Sequence, residues 1–304
     1  DYSIRFGEDG ESRSSYTAPE VYNPTYEALK EANAKVLKYA DLINGTTPGM
    51  VWNGSNVIGL TWNGNTSFLT NMHMSDITVV DVANEPYYQG YIQCGYYQDN
   101  MGNPAFMVVN RRANIFESST YASPRYVPVS QYSSCYPPIN GQTLLFGLDP
   151  SSYTTYGTFP SLYDPADEQH YISANDEILV GLDPGDGKLL QMCSSLPSLV
   201  TSNATLKKTA YLSGVIVIDQ GAEVTMMPNT VTRILPNSCI VVTGGSTLNL
   251  NGVVDIAAGV SILVEPGSSI NFNETMCTWG IDSYLQVYEA QMNVEYASFA
   301  FNPM

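Results

Sequence analysis

Asn84-Glu85-Pro86 closes the apolar run Ile77-Thr78-Val79-Val80-Asp81-Val82. It sets a carboxylate at a strand end, where a positioned Glu can give or take a proton. Glu85 is therefore the candidate catalytic residue. Cleaving a glycosidic bond with retention needs a second carboxylate about 5 Å away. That partner normally stands on another strand of a (β/α)8 barrel, and the strands here do not alternate with helices. The competing reading is a turn at the end of a sandwich strand, and the expectation is a chain with no catalytic residue of its own. His73 and His170 have Ser and Asp neighbours, but no Gly-x-Ser-x-Gly elbow is present. A nucleophilic triad is not expected.

Other residue types suggest binding. Asp183 with Asp186, and Asp164 with Asp167 and Glu168, could hold calcium through oxygen ligands. The alternative is that they are solvated turn carboxylates. Trp62, Tyr121, Tyr126, Tyr132, Tyr153 and Tyr156 could stack on the C–H faces of sugars, or could pack their own loop onto the domain. Five cysteines, at 94, 135, 193, 239 and 277, follow no metal spacing. Cys94 and Cys135 are a candidate disulfide pair, although sequence alone does not fix connectivity. Sequons stand at Asn44, Asn53, Asn65, Asn203 and Asn273. They are candidate glycosylation sites in a secretory setting. No cofactor is expected, with calcium the one option.

The elements that would position these groups begin with a helix. Asn23 caps it and Pro24 takes its first position. Tyr26, Leu29, Val36, Leu37, Ala40 and Ile43 follow at 3-to-4 spacing, and Asn44-Gly45 ends it. Strands are expected at Val57–Trp62 and Ile77–Val82. A hairpin runs from Gly90–Gln98 through Asp99–Pro104 to Ala105–Arg111. A second hairpin joins Glu177–Leu182 to Lys188–Met192. Between them, 118–176 is rich in Tyr and Pro and reads as a long functional or wrapping coil. Residues 194–203 read as a linker.

Beyond the linker, Gly or Pro falls at 214, 221, 228, 236, 244, 252, 259 and 267. A turn residue every seven or eight positions suits short strands and excludes helices. Val224/Met226, Cys239/Val241, Leu248/Leu250, Val254/Ile256, Ile262/Val264 and Ile270/Phe272 would share one inward face, because side chains two apart on a strand point the same way. Cys239 would then be a buried thiol. Three strands per coil gives about 23 residues, a parallel β-solenoid of about two and a half coils, with one more at Met292–Phe299. The competing fold is an antiparallel sandwich with tight hairpins, but Asn-Gly and Asp-Gly turns are few.

The fold class is thus mainly β, in three parts. Residues 1–45 form a polar arm and amphipathic helix, 46–197 an antiparallel β-sandwich, and 198–304 the solenoid. Charged residues make up only 13% of the chain and its net charge is −17. Nucleic acid is an unsuitable partner for such a surface. No apolar run reaches the ~18 residues of a membrane span.

The helix Tyr26-Glu27-Ala28-Leu29-Lys30-Glu31-Ala32-Asn33 resembles the last barrel helix of large secreted bacterial glycoside hydrolases, whose barrel runs into a C-terminal β-sandwich. Phe106-Met107-Val108-Val109-Asn110-Arg111 and Leu182–Leu190 resemble hairpins of that sandwich. The Asn84-Glu85-Pro86 strand end resembles the acid/base setting of many barrel glycosidases. The resemblance covers about 20–195. The solenoid is similar to β-helical segments near the C-termini of secreted multidomain bacterial proteins. No barrel precedes Asn23 and no cap follows Phe299, so the chain is expected to be part of a longer polypeptide. The resemblance implies a secreted or cell-surface, non-catalytic region that supports a glycosidase barrel and acts as a spacer or glycan-contacting module. Its partners would be a polysaccharide or glycan, and the rest of the polypeptide. The alternatives are a self-assembling subunit of an extracellular fibre or surface layer, and a glycosidase using Glu85.

Overall fold

The computed structural model describes residues 33–40, 46–53, 69, 72–79, 92–99, 102–110, 142–183 and 186–301. The chain divides into two compact units, Asp1–Gly45 and Thr46–Met304. In the first, residues 33–38 are helical and Tyr39 is buried. They lie inside the helix expected from the 3-to-4 spacing.

The second unit opens with β1 (Thr46–Asn53), β2 (Met74–Val79), β3 (Ile92–Asp99), β4 (Pro104–Asn110) and β5 (Gln142–Leu148). A short helix, α1 (Pro150–Tyr156), and β6 (Pro160–Asp164), β7 (Gln169–Ile172), β8 (Glu177–Leu182) and β9 (Gly187–Ser194) follow. One antiparallel sheet runs β1-β3-β4-β9-β6-β7 and a second runs β2-β5-β8. Alternation assigns their facing sides: Ile178, Val180 and Leu182 are buried while Glu177, Leu179 and Gly181 are exposed. Those three join Leu144 and Phe146 against Phe106, Val108, Leu190 and Met192 in one core. Phe106 and Phe146 meet edge to face across the sheets at 5.7 Å. This is the expected antiparallel sandwich.

The coil expected over 118–176 is corrected from residue 142 onward, where β5, α1, β6 and β7 are regular elements. Tyr and Thr favour strands, and the interspersed Pro and Ser hid that preference. Asp149 caps α1 by accepting from the Ser151 N–H at 2.8 Å, and Pro150 follows at the first helical position. Gly157 ends it at φ +94°.

The solenoid has five coils. The first comprises β10 (Leu199–Val200), β11 (Ala204–Leu206) and β12 (Thr209–Leu212). The second is β13 (Val215–Ile218), β14 (Glu223–Met226) and β15 (Val231–Ile234). The third is β16 (Cys239–Val242) with β17 (Thr247–Ile256), and the fourth β18 (Ser261–Val264) with β19 (Ser269–Trp279), each long strand serving two faces. The fifth is β20 (Tyr284–Val287), β21 (Gln291–Glu295) and β22 (Ser298–Phe301). All pairings are parallel. Val215 lies beside Cys239, Cys239 beside Ser261 and Ser261 beside Tyr284, so successive coils repeat after 24, 22 and 23 residues.

About two and a half coils more than the regular spacing covers are present, one of them expected at Met292–Phe299, and the reason is local. The Gly marks at 214, 221, 244, 252, 259 and 267 have φ between +61° and +79°, and beside the two Pro marks Asn229 and Asn237 take that role at +70° and +57°. In the outer coils the left-handed turn is carried by Lys208, Asp282, Glu289 and Tyr296. Of these only Asp282 is a turn-favouring residue type; Lys208, Glu289 and Tyr296 give no turn signal in sequence.

Five of the six expected inward pairs are buried: Val224/Met226, Leu248/Leu250, Val254/Ile256, Ile262/Val264 and Ile270/Phe272. The sixth is corrected. Ile240 and Val242 point in, and Cys239 and Val241 point out. Cys239–Val242 contains no polar residue, so the run itself carries no parity. Its register with Ile216 and Ile262 sets the face. Each fully buried Ile or Val in this column contributes roughly 1.5–3 kcal/mol.

Candidate functional site

The seam between sandwich and solenoid brings together the chemically distinctive side chains. β9 pairs with β4 and β6 on the sandwich side, and its last residue, Ser194, also pairs with Ala210 of β12. Ser194 Oγ donates to the Lys207 carbonyl at 2.8 Å and is also bonded to the Tyr156 carbonyl. Ser195 Oγ donates to the Tyr211 carbonyl at 2.8 Å. The linker expected over 194–203 is therefore corrected: it is the end of β9, a hydrogen-bonded crossing and β10. Its Ser-rich composition resembles a flexible segment, yet the hydroxyls cap buried carbonyls.

On the outside of this seam the β6–β7 hairpin lies on the first coil. His170 stacks on Tyr163 at 4.8 Å, Tyr163 stacks on Tyr211 at 4.2 Å, and the Arg233 guanidinium lies 5.8 Å from the Tyr211 ring centre. The Tyr211 hydroxyl donates to Gln191 Oε1 at 2.8 Å, and Gln191 Nε2 donates to Asp99 Oδ2 at 2.7 Å. Burial pushes the Tyr211 hydroxyl up to about 12 and draws His170 down to about 4 from its ordinary 6.5. Both groups are neutral near pH 7.

His170 Nδ1 lies 2.7 Å from Ser213 Oγ, while its Nε2 is shielded and has no hydrogen-bond partner. The pair lines a groove of about 480 Å³ together with Asp167, Glu168, Gln169, Leu196, Ser198 and Val215. A neutral imidazole facing a hydroxyl could polarise it. Here, however, stacked rings hold the imidazole where a triad would use a carboxylate. His73 repeats the pattern with Ser151 Oγ at 2.9 Å, its ring edge against Tyr156 at 5.6 Å. The arrangement suits packing and ligand contact better than acyl transfer.

The sequence candidates fall as follows. Tyr156 is fully buried, and its hydroxyl donates to Asn103 Oδ1 at 3.3 Å. The expectation of a sugar platform is corrected at this residue, since its ring has no free face. Tyr153 is half-buried and donates to Asp176 Oδ1 at 2.7 Å. The Asp164 and Asp167 carboxylates meet the Lys188 ammonium at 3.3 and 2.6 Å. Burial alone would lower the Lys188 pKa, but the hydrogen bond to Asp167 and the neighbouring charges raise it above the usual range. A cation is thus supplied by the chain where calcium was considered. Asp186 is in the β8–β9 turn, its Oδ1 accepting from Gly187 N at 2.8 Å, and Asp183 is exposed. Among the described residues no group of three His, Cys, Asp or Glu is placed to hold a metal.

Cys94 is a buried free thiol pushed up to about 12 by burial, and Cys135, its expected partner, lies outside the described residues. Asn203 is exposed and accepts from Glu223 N at 2.9 Å, and Asn273 is half-buried. Asn53 ends β1. Glu85, Trp62, Tyr121, Tyr126, Tyr132, Asn44 and Asn65 lie outside the described residues.

Sequence reasoning expects Thr225, Asn249, Asp255 and Asn271 to point outward, between the inward pairs, but does not foresee that outer residues bond from coil to coil. On the β11-β14-β17-β19-β21 face, Asn271 Nδ2 donates to Asn249 Oδ1 at 2.6 Å and Asn293 Nδ2 to Asn271 Oδ1 at 2.8 Å. Thr247 and Ser269 hydroxyls meet at 2.8 Å in the adjacent column. The recurring triplets Glu223-Val224-Thr225, Thr247-Leu248-Asn249, Ser269-Ile270-Asn271 and Gln291-Met292-Asn293 were the available signal.

Comparison with protein-family models, curated proteins and solved structures gives no match. The resemblance to the C-terminal region of glycoside hydrolases accordingly has no relative behind it. The fold stands on its own as mainly β with a parallel solenoid. No helix among the described residues is long and apolar enough to cross a membrane.

Proposed function

We propose that this chain is a non-catalytic structural region of a secreted or cell-surface carbohydrate-active protein, with the solenoid as a stiff spacer and the sandwich as support for a glycosidase barrel. The observation that carries this reading is the seam. Ser194 belongs to the sandwich sheet and also pairs with the first coil, so the two parts join without a hinge. Connections between solenoid strands are two to four residues long, too short to wall an active site over the coils. A surface rich in Ser, Thr and Asn with few charges supports an extracellular setting. Glycan contact through Tyr153 and the outer Asn column belongs to the same proposal.

The test is direct. The purified chain, incubated with a panel of plant and algal polysaccharides, should release no reducing sugar. Release that Glu85→Gln abolishes would overturn the reading in favour of a glycosidase.

A second reading, an assembling fibre or surface-layer subunit, is favoured by one feature. The fifth coil exposes Met292, Val294, Phe299 and Phe301, whose counterparts in inner coils are buried. Unpaired apolar strand edges favour stacking. Concentration-dependent polymers in sedimentation, lost on Phe301→Asp, would support it.

A further inference from the structure

The three outer faces of the solenoid differ in chemistry. The Asn-bearing face is polar, and the β12-β15-β17-β19-β22 face is mixed, with Arg233, Asp255 and Thr278 in one column. The third face, β10-β13-β16-β18-β20, is apolar. Leu199, Val217, Val241 and Leu263 stand in register in one outward column. Val215, Cys239, Ser261 and Tyr284 form the next. Leu199, Val215 and Tyr284 are 55%, 61% and 53% exposed, and Val217, Cys239, Val241 and Leu263 are half-buried. Outward positions of a solenoid face water, so an apolar column across four coils, ending at Gln286 in the fifth, calls for a covering surface. At the usual spacing of ~4.8 Å per strand the column is roughly 14 Å long, enough for about four extended residues.

Its margin carries one sign of charge. Where the parallel strands end, Asp219, Glu265 and Glu289 follow along one side, and Asp282 lies on the other. The groove that shares Val215 adds Glu168. The five strands and their flanking residues hold no Lys or Arg. The three basic residues of 198–304, Lys207, Lys208 and Arg233, belong to other parts of the coil. A second copy would bring the same acidic margin against this one and would be repelled.

We propose that this face docks a protein partner through an apolar segment flanked by Lys or Arg, the apolar side chains covering Leu199, Val217, Val241 and Leu263 and the cations meeting the acidic margin. This goes beyond the spacer reading and does not depend on it.

The test uses two fluorescent probe peptides, an alternating Leu/Lys octamer and octalysine, titrated against the full chain and against Val241→Asp. Val241 points outward, and Val217→Thr with Val241→Thr serves as a milder second variant should the aspartate impair folding. The Leu/Lys peptide should bind, and alkylation of Cys239, followed at the peptide level by mass spectrometry, should slow at least fivefold on binding. Val241→Asp should weaken the Leu/Lys peptide at least tenfold even though it adds a negative charge, while octalysine binding holds or strengthens. Equal or tighter binding of the Leu/Lys peptide to Val241→Asp would show charge attraction alone and overturn the proposal. A chain that sediments as a dimer, and as a monomer after Val241→Asp, would assign the face to a second copy and overturn it as well.

Discussion

At the scale of single residues, the seam depends on a glycine and a histidine. Gly157 has φ +94°, and a Cβ there would sit 2.0 Å from the Thr205 carbonyl oxygen. Both the left-handed backbone and the contact exclude a side chain. Gly157→Ala should lower unfolding free energy by roughly 3 kcal/mol or more, read as a shifted urea midpoint. His170 is neutral in the fold because burial lowers its pKa to about 4 from 6.5. Its folded pKa lies below the unfolded one, so its contribution is complete above pH 6.5. It is lost as pH falls toward 4, because the unfolded chain takes up the proton first. About 3 kcal/mol of stability should disappear over that window. His170→Phe, which keeps a stacking ring, should remove this part of the pH dependence in thermal melts. An unchanged pH profile in the variant would assign the loss to other groups. Gly157 did not stand out in sequence and His170 was weighed only as a triad member, because a lone Gly or His carries no sign of what the fold brings to it.

At the scale of elements, alternation was legible wherever polar residues marked the outward side. Leu248-Asn249-Leu250 and Ile270-Asn271-Phe272 declare their faces, whereas Cys239-Ile240-Val241-Val242 does not. The same outward Asn residues stabilise the coils. Each amide donates to the coil before it, a ladder of the kind that holds stacked parallel strands. Asn271 sits in the middle as donor to Asn249 and acceptor from Asn293. Asn271→Ala should cost about 1–2 kcal/mol, seen in denaturant unfolding, and Asn271→Gln should restore little because its longer arm breaks the register. If Asn271→Ala were neutral, the ladder would be decoration on a sheet held by its core. Coil number was under-read because Lys208, Asp282, Glu289 and Tyr296 occupy turns that Gly fills elsewhere. Left-handed turns at ordinary residues are imposed by the stacked neighbours and leave no local trace.

For the whole second unit, sequence reasoning found a sandwich followed by a solenoid but separated them at 194–203. The polar Ser residues there suggested slack. Their hydroxyls instead close the carbonyls of Lys207 and Tyr211, 13 and 16 residues away along the chain. Long-range partners of this kind are invisible to composition. Sugar-stacking and calcium candidates were chosen from residue type alone, and three that the structure describes are tied up internally: Tyr156 in the core, and Asp164 and Asp167 on Lys188. The stiff junction supports the spacer proposal, and the account rests on it. Native-state hydrogen exchange by mass spectrometry tests it most directly. Peptides covering 190–212 should be protected as strongly as those covering 239–264, rising and falling with them in denaturant. Rapid, denaturant-independent exchange across 194–203 would reveal a flexible joint and contradict the account.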